Sequence, residues 1–437
     1  MSAGPRRELT LADATALIIG VIVGVGIFQV APEVARGTPG AAAMLGLWVA
    51  GAAISWCGAT VYAQLAAAHP DGAGGDYLYL TRAYGPVGGF LFAWLLTVVV
   101  RPGDIAVMAY AFATYAAAAG RAVSGTRGLS PVVLAAGAIA VLTAIHAAGV
   151  RPGKRAQNLL TLLKVGGLGV VIVLAWFAGS PAEPPPAPSP LPLSVATILV
   201  LFAYGGWSEI AFVVAEVRDP VRSVPRALGW GVGGVAVLYL LANMGFLRAF
   251  GGHAGLAAAN AAAAEAVERA LPGAGGWVAA LIALSALGAV HGLIFTGARI
   301  PAAAGGDHPL FQPFARWSPR TAAPVRALVL QGALAIALVL IMGSFTETLL
   351  YTAAPVYAFQ TATALALPRL RGRDPARWRS LPRWGHPWTT TVFVAACLML
   401  VWRAAVYRLW TALAALGLAA LGWPAWRWSE RLRARGE

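Results

Sequence analysis

The residues that could do chemistry in this chain are few and scattered. The 437 residues include 17 acidic residues, six histidines and two cysteines. No GxSxG nucleophile motif, HExxH zinc motif, phosphate-binding loop or paired aspartate motif occurs. We therefore predict a protein that is not an enzyme, with no catalytic residues, no metal site and no cofactor.

Ionisable residues nevertheless occur inside long apolar stretches, where a charge is costly and is by default a functional candidate. Lys164, in LLTLLKVGGLGVVIV, could donate to free backbone carbonyls; the alternative is an extension toward lipid headgroups. Glu209 could attract an ammonium group or carry a proton, or it could be a helix N-terminal residue stabilised by the helix dipole. His291 is a minor candidate for lining a pathway, with a packed hydrogen-bonding role as the alternative.

Two further charged positions favour a more structural interpretation. Glu216 lies near the end of its apolar stretch and close to Arg218, which indicates an intracellular gate or a salt bridge at a helix end. Arg101 and Asp104 lie three residues apart around Pro102. On a helix they share one face, so we expect them to neutralise each other.

The elements that must position these residues are membrane-spanning helices. Hydrophobic residues make up 59% of the chain and charged residues 11%, against roughly 25% charged in a soluble domain. Apolar runs recur that can each cross a hydrocarbon core of about 30 Å. The sequence therefore predicts an all-α polytopic membrane protein with about twelve spans. They are approximately 13–35, 41–67, 86–118, 131–149, 157–178, 194–217, 227–250, 275–300, 325–343, 347–367, 387–402 and 406–426.

The net charge of +15 resides mainly in arginines between the apolar runs. No basic stretch is interleaved with aromatic residues on a soluble module, which argues against nucleic-acid binding. Most of these arginines fall in loops on the same side as the N-terminus. The positive-inside rule then predicts that both termini are cytoplasmic. Arginine supplies all but two of the 32 basic residues, which favours a GC-rich bacterial source and hence an inner membrane.

A proline-rich segment, SPAEPPPAPSPLP at 180–192, separates the first five spans from the next five. No helix can continue through it, so we expect a semi-rigid outside loop. The predicted units are a cytoplasmic N-terminus (1–12), a first repeat (13–178), this loop (179–193), a second repeat (194–368), a basic cytoplasmic loop (369–386), two final spans (387–428) and a tail (429–437).

Glycines interrupt two spans at corresponding positions. Span 1 contains GVIVGVGIF at 20–28, and span 6 contains FAYGGW at 202–207. Unwound backbone in a membrane is tolerated only where it is buried in protein or lines a cavity, and paired interruptions of this kind indicate an inverted-repeat transporter with its site at the midplane. The alternative is close packing of Gly20 and Gly24 against another helix.

Three loops have expected roles. Residues 251–274 are predicted to form a short helix on the outer membrane surface. Residues 301–324 are expected to be an inside loop, and the basic residues 369–383 to be solvated near anionic headgroups.

Cys57 and Cys397 both lie in apolar runs, which argues against a disulfide framework.

Several motifs resemble those of the amino acid, polyamine and organocation transporter superfamily, and within it the L-type amino acid transporter branch with its bacterial relatives. GVGIF at 24–28 is similar to that family's GSGIF, and AQLAAAHPDGAGGDYLYLTRAYG at 63–85 is similar to its AELG and GGDYxY segment. Arg101-Pro102 matches an RP pair in span 3. FAYGGWSEIAFVVAEVRDPVRSVPRAL at 202–228 carries the strongest resemblance.

The resemblance implies a LeuT-type fold of two inverted five-helix repeats plus two helices, with alternating access. It places a substrate carboxylate at backbone amides and a substrate amine at backbone carbonyls of the two breaks, with Phe202 as an aromatic lid. Lys164 matches the lysine that replaces a sodium site in sodium-independent members, which implies exchange or proton coupling. The implied substrate-binding residues are Ile22, Val23, Gly24, Val25, Gly26, Ile27, Phe202, Ala203, Tyr204, Gly205 and Trp207.

Two departures from the family pattern matter. Val25 stands where members usually have serine, so one side-chain donor to the carboxylate is lost and selectivity is open. The loop 119–130 contains no cysteine, so no disulfide-linked ancillary subunit is expected. An amino acid carrier is the leading interpretation; a polyamine or other organic-cation carrier is the alternative, and a membrane receptor or channel is a remote one.

Overall fold

The structure is a computed structural model that describes residues 9–70, 75–124, 129–149, 154–179, 189–212, 214–321, 323–379 and 381–435, without the side chains of 123–124, 154–165 and 212. The named elements within these ranges are all helices. They are α1 (Leu11–Ile22), α2 (Gly26–Arg36), α3 (Ala41–Ala68), α4 (Asp76–Tyr84), α5 (Pro86–Leu95), α6 (Arg101–Ser124), α7 (Pro131–Ala147), α8 (Lys154–Phe177), α9 (Leu193–Ala203), α10 (Pro220–Ala249), α11 (His253–Ala257), α12 (Ala262–Ala270), α13 (Gly275–Gly297), α14 (Arg299–Asp307), α15 (Gln312–Ala315), α16 (Val325–Met342), α17 (Phe345–Arg373), α18 (Pro375–Arg379), α19 (Trp388–Tyr407), α20 (Leu409–Ala420) and α21 (Gly422–Ala434), with a π-helical turn at Leu96–Val100 and 3-10 turns at Trp207–Phe212, Val214–Glu216 and Pro309–Phe311.

Many of these helices are long and apolar enough to cross a membrane. In the described part of the chain, eight segments meet that condition, and the bent pair α1 and α2 makes a ninth. The all-α polytopic class is therefore confirmed, while the count of twelve spans stays a prediction. The eight segments are Ala41–Ala68, Pro86–Ala122, Leu193–Ala211, Pro220–Ala249, Gly275–Asp307, Val325–Met342, Trp388–Tyr407 and Leu409–Ala434.

The outer surface of the helix bundle is apolar. Phe177, Trp277 and Trp410 each expose about four-fifths of their surface, at 79%, 80% and 81%. Extensive apolar exposure is unfavourable in water and marks a lipid-facing surface. Inside the bundle, α6 packs against α13 and α3 packs against α10.

The first span is broken where the sequence predicts it. α1 ends at Ile22, Val23 is extended with a ψ of 92°, and α2 begins at Gly26 with its axis turned by 49°. A Cβ on Gly24 would have only the Ile22 carbonyl oxygen, 4.0 Å away, as a neighbour. Gly24 is therefore not a close-packing glycine, and the alternative of helix packing through Gly20 and Gly24 loses its support.

The sixth predicted span is also interrupted. α9 ends at Ala203, and the chain continues through a turn into two 3-10 segments before α10. Gly206 has a φ of +100°, and a Cβ there would lie 2.7 Å from Cγ1 of Val21. Only glycine fits both this backbone conformation and this approach to α1. The following helix begins at Pro220 rather than near 227, because proline is preorganised for the first position of a helix.

A single tyrosine connects the two breaks. The hydroxyl of the fully buried Tyr239, on α10, lies 2.9 Å from the Ile22 carbonyl oxygen and 3.1 Å from that of Ala203. These carbonyls would accept hydrogen bonds from the residues four positions later if the two helices continued. The two carbonyls share the single proton of the Tyr239 hydroxyl, which supplies one donor in place of the two that are lost. Its ring packs against Trp48 and Tyr204, with ring centroids 5.5 and 5.3 Å away.

Two predicted loops are partly helical. The predicted inside loop 301–324 begins within α14 and contains α15. The predicted basic loop 369–386 begins within α17, which continues to Arg373 because leucine and arginine favour helix, and ends before Pro375. The segment 251–274 is helical in α11 and α12, as predicted, but these helices pack against α2, α8 and α13, and a position on the membrane surface stays a prediction. Most of the proline-rich loop and the side chain of Lys164 lie outside the described residues.

The substitution Tyr239→Phe tests the connection between the breaks. It leaves two buried carbonyls without this donor, so we expect a loss of about 1 to 3 kcal/mol of stability, measured as a lower midpoint of thermal unfolding in detergent. Tyr204→Phe is the matched control, because the Tyr204 hydroxyl is buried in the same aromatic cluster without a hydrogen-bond partner. Equal losses in both variants would contradict the proposed role of the Tyr239 hydroxyl.

Candidate functional site

The two helix breaks lie against each other. A Cβ on Gly26, the first residue of α2, would lie 3.5 Å from Cα of Ala203 and 3.8 Å from the ring of Phe202. Gly206 contacts Val21 of α1 in the same region. The start of α2 therefore adjoins the ends of α1 and α9, and the structure brings the sequence-predicted residues of the two spans together.

Backbone dipoles give this site opposite charges a short distance apart. The first N–H groups of α2 have no partner within their own helix, and Val25 at the N-cap supplies no side-chain acceptor. The carbonyl ends of α1 and α9 face the same region. A helix N-terminus favours an anion and a helix C-terminus favours a cation. The arrangement is suited to a small molecule that carries both charges.

The predicted substrate-binding residues differ in how accessible they are. Gly24, Phe202 and Gly205 are partly accessible, whereas Ile22, Val23, Val25, Gly26, Ile27 and Ala203 are buried. The Phe202 ring packs edge-on against Phe345 at the start of α17, with centroids 6.0 Å apart. Phe202 thus lies between Gly26 and α17, where an aromatic side chain can cover the start of α2.

Tyr204 and Trp207 direct their side chains into the protein. Tyr204 is fully buried against Trp48. Trp207 packs edge-on against Tyr62, with ring centroids 5.1 Å apart, and against Phe393 at 5.8 Å. Both side chains hold the second break in place, and their backbone groups are what they can offer to a ligand.

A buried arginine joins this region to span 3. Arg101 follows the π-helical turn that precedes Pro102, and its guanidinium lies 3.3 Å from Glu209 and 3.9 Å from Asp104. The expected ion pair of Arg101 and Asp104 is present, and Glu209 is a second, nearer partner that the sequence did not indicate. Glu209 lies in the first turn of the 3-10 segment Trp207–Phe212, and its coupling or gating role stays a prediction.

Of the other predicted coupling or gating residues, His291 and Glu216 have their partners outside the two breaks. His291 on α13 stacks on His146 of α7, with Nδ1 of His291 2.9 Å from Nε2 of His146. This favours the packed hydrogen-bonding role for His291. Glu216 exposes its side chain, while its carbonyl accepts a hydrogen bond from the N–H of Leu9. Lys164 belongs to α8, which packs against α10 and also contacts α1.

One buried acidic group is not among the residues predicted from the sequence. Asp76, at the start of α4, accepts hydrogen bonds at a single carboxylate oxygen from the hydroxyls of Tyr62 on α3 and Thr363 on α17. Burial raises the pKa of the Asp76 carboxyl, and the two donors oppose that shift. Asp76 is the aspartate of the GGDYLY segment, which is part of the family resemblance but for which no function was predicted.

Comparisons with known proteins agree with this architecture. The family model described as "Amino acid permease" matches residues 9–417. The chain is 29% identical to mouse b(0,+)-type amino acid transporter 1 over 376 residues, covering 84% of this chain and 76% of that protein.

Two further relatives cover similar lengths. Mouse large neutral amino acids transporter small subunit 2 is 28% identical over 424 residues, covering 93% of this chain and 77% of that protein. Mouse Asc-type amino acid transporter 1 is 29% identical over 403 residues, covering 86% and 72%. Since the family model spans most of the chain, including both helix breaks, this protein belongs to the amino acid permease family of transmembrane transporters.

Proposed function

We propose that this chain carries amino acids across a bacterial inner membrane by alternating access, without sodium, by exchange or with protons. The observation that carries the proposal is the meeting of the α2 N-terminus with the carbonyl ends of α1 and α9 beside Gly26. An α-amino acid has a carboxylate and an ammonium group one carbon apart, which complements these two backbone charges. The three relatives are named as amino acid transporters, which supports the substrate class.

In the proposed binding mode, the carboxylate accepts from the N–H groups of Val25, Gly26 and Ile27. The ammonium donates to carbonyls near Ile22, Val23 and the 202–205 segment. Tyr239 already contacts two of these carbonyls, but a carbonyl oxygen has two lone pairs and can accept a second hydrogen bond. Tyr239 can thus hold the breaks in shape without excluding the substrate.

The ion pair of Glu209 bears on the choice of substrate. A polyamine or other organic-cation carrier would need a carboxylate free to attract an ammonium group. Glu209 lies 3.3 Å from the Arg101 guanidinium, which it shares with Asp104 at 3.9 Å, so its carboxylate is paired rather than free. A paired carboxylate is less available to an ammonium group, which favours amino acids over polyamines. The relatives and the broken spans likewise favour a carrier over a receptor or channel.

Lys164 is proposed to take the place of a coupling sodium ion. Its helix, α8, contacts α1, the helix whose last carbonyls are released at the break. An ammonium group there can donate to such carbonyls as a sodium ion would coordinate them.

We further propose that the protein works without a disulfide-linked partner and has both termini in the cytoplasm. Cys397 is buried in α19, and Cys57 is partly buried within α3, so neither is placed for a bond to a second chain. The arginine-rich loops support the orientation through the positive-inside rule.

The test is labelled amino acid uptake into proteoliposomes, with an amino acid mixture inside and single labelled amino acids outside. We expect uptake that requires internal amino acid or a proton gradient and is indifferent to sodium. Saturable counterflow would exclude a channel. Absence of amino acid uptake together with uptake of polyamines would replace the proposal by its alternative.

Gly26→Leu is expected to abolish amino acid binding while the protein still inserts and folds. The leucine side chain would occupy the space beside Ala203 and Phe202 and block the first N–H groups of α2. Scintillation proximity binding to the purified protein measures the effect. Gly46→Leu is the control, since Gly46 is exposed on α3 with no atom within 4 Å of its Cβ position. Normal binding by Gly26→Leu would refute the assignment of the site.

Lys164→Ala is expected to reduce transport at least about tenfold, a loss of about 1.4 kcal/mol, with expression and monodispersity retained. Transport rate per reconstituted molecule is the quantity to compare with the unmodified protein. Unchanged transport would mean that Lys164 only extends toward the lipid headgroups.

The substitution Glu209→Gln tests whether this carboxylate is a structural partner of Arg101 or a ligand for a substrate ammonium group. As a partner of buried Arg101, Glu209 is expected to contribute about 1 to 3 kcal/mol of stability, and Arg101→Gln combined with Glu209→Gln should cost less than the sum of the single changes. Thermal unfolding of the unmodified protein, the two single variants and the double variant measures the coupling energy between Arg101 and Glu209. Strictly additive losses, together with weaker substrate binding in Glu209→Gln alone, would support the polyamine interpretation instead.

A further inference from the structure

Arginines gather where α3 and α4 meet the end of α17. We call Arg82, Arg371, Arg373 and Arg377, with His69, the arginine cluster. Arg373 donates to the carbonyl of Arg82 over 2.9 Å, which ties α17 to α4. The cluster thus connects elements that also share the Asp76 hydrogen bonds described above.

His69 is the centre of the cluster. It is 6% exposed, and Nη1 of Arg82 and Nη1 of Arg377 both lie within hydrogen-bonding distance of its Nδ1. Arginine can only donate, so Nδ1 must be an acceptor and the neutral ring carries its proton on Nε2. Burial, followed by Arg82 and Arg377, lowers the pKa of His69 to about 4, in keeping with a neutral ring. The Nε2 atom is buried and has no hydrogen-bond partner.

Arg371 also has a donor without an acceptor. One end of its guanidinium donates to Oε1 of Gln64 over 2.7 Å, but its Nε is buried without a partner. The guanidinium lies 4.8 Å from the ring centroid of Trp378, and the His69 ring meets the same tryptophan edge-on at 6.3 Å. His69 and Arg371, which each have a buried nitrogen without a partner, therefore pack against the same aromatic ring, that of Trp378.

The charges of the cluster are poorly balanced. Residues 369–383 contain six arginines and one acidic residue. Among the described residues, the acidic partner of the cluster is Asp374, whose carboxylate lies 3.4 Å from Nε of Arg377. Arg82, Arg373 and Arg377 are exposed, so solvent reduces their mutual repulsion, and an anion beside them would reduce it further. An anion with several oxygens would also supply acceptors that the described residues do not provide.

We propose that the arginine cluster binds a phosphate group, supplied by the headgroup of an acidic phospholipid. Phosphate matches the planar donor arrangement of arginine and can accept from several donors at once. The cluster precedes α19, whose first residue, Trp388, is 77% exposed, as expected of an aromatic side chain at the headgroup level. A phosphate held there would bind α17 and α18 to α3 and α4 and stabilise that junction. The inference does not depend on the identity of the transported substrate.

The experiment titrates the purified full chain, in neutral detergent, with phosphatidylglycerol, phosphatidylcholine or inorganic phosphate, and follows the midpoint of thermal unfolding. We expect phosphatidylglycerol to raise the midpoint saturably and phosphatidylcholine to leave it unchanged. In Arg371→Gln combined with Arg377→Gln, half-saturation should require at least about tenfold more phosphatidylglycerol. The control, Arg431→Gln, removes the same kind of charge from an exposed position on α21 and should respond like the unmodified protein.

Two results would overturn the proposal: an unchanged phosphatidylglycerol response in the double variant, or an equal loss in Arg431→Gln, which would indicate diffuse charge attraction. If the double variant does not fold, Arg82→Gln, at an exposed position, replaces it under the same expectations. Saturation by inorganic phosphate alone at millimolar concentration would support the phosphate site and assign it to a free ion rather than a lipid.

Discussion

A backbone carbonyl released inside a membrane has no water to bond to, so a broken spanning helix persists only if the protein supplies a donor. Tyr239 supplies a donor that the two breaks share, because its hydroxyl lies within hydrogen-bonding distance of the carbonyls of Ile22 and Ala203. The aromatic packing of Trp48 and Tyr204 holds that tyrosine in place. The proposed substrate site depends on this arrangement, since the same breaks expose the N–H groups of α2.

Charged groups in the bundle follow the same rule of internal satisfaction. Arg101 is buried with two carboxylates within 4 Å, and Asp76 is buried with two hydroxyl donors. Each network joins helices that are distant in sequence, Arg101 linking span 3 to the second break and Asp76 linking α3, α4 and α17. Movements that open and close the site must preserve or exchange these bonds, because an uncompensated charge is costly in the membrane.

The arginine cluster is the exception, since its donors exceed the acceptors that the described residues provide. His69 and Arg371 each keep a buried nitrogen without a partner. A phosphate headgroup would complete the network at the surface where α17 meets α3 and α4. The membrane would then act as a structural component of the junction, in addition to its role as a solvent for the apolar surface.

The membrane class, the two breaks and the family resemblance could all be read from the chain, because apolar length and paired glycine interruptions are local signals. Tertiary structure alone decided the partners. Glu209 pairs with Arg101, 108 positions away, and Tyr239 reaches both breaks from α10. No local pattern encodes such contacts, since they depend on which helix faces are brought together by packing.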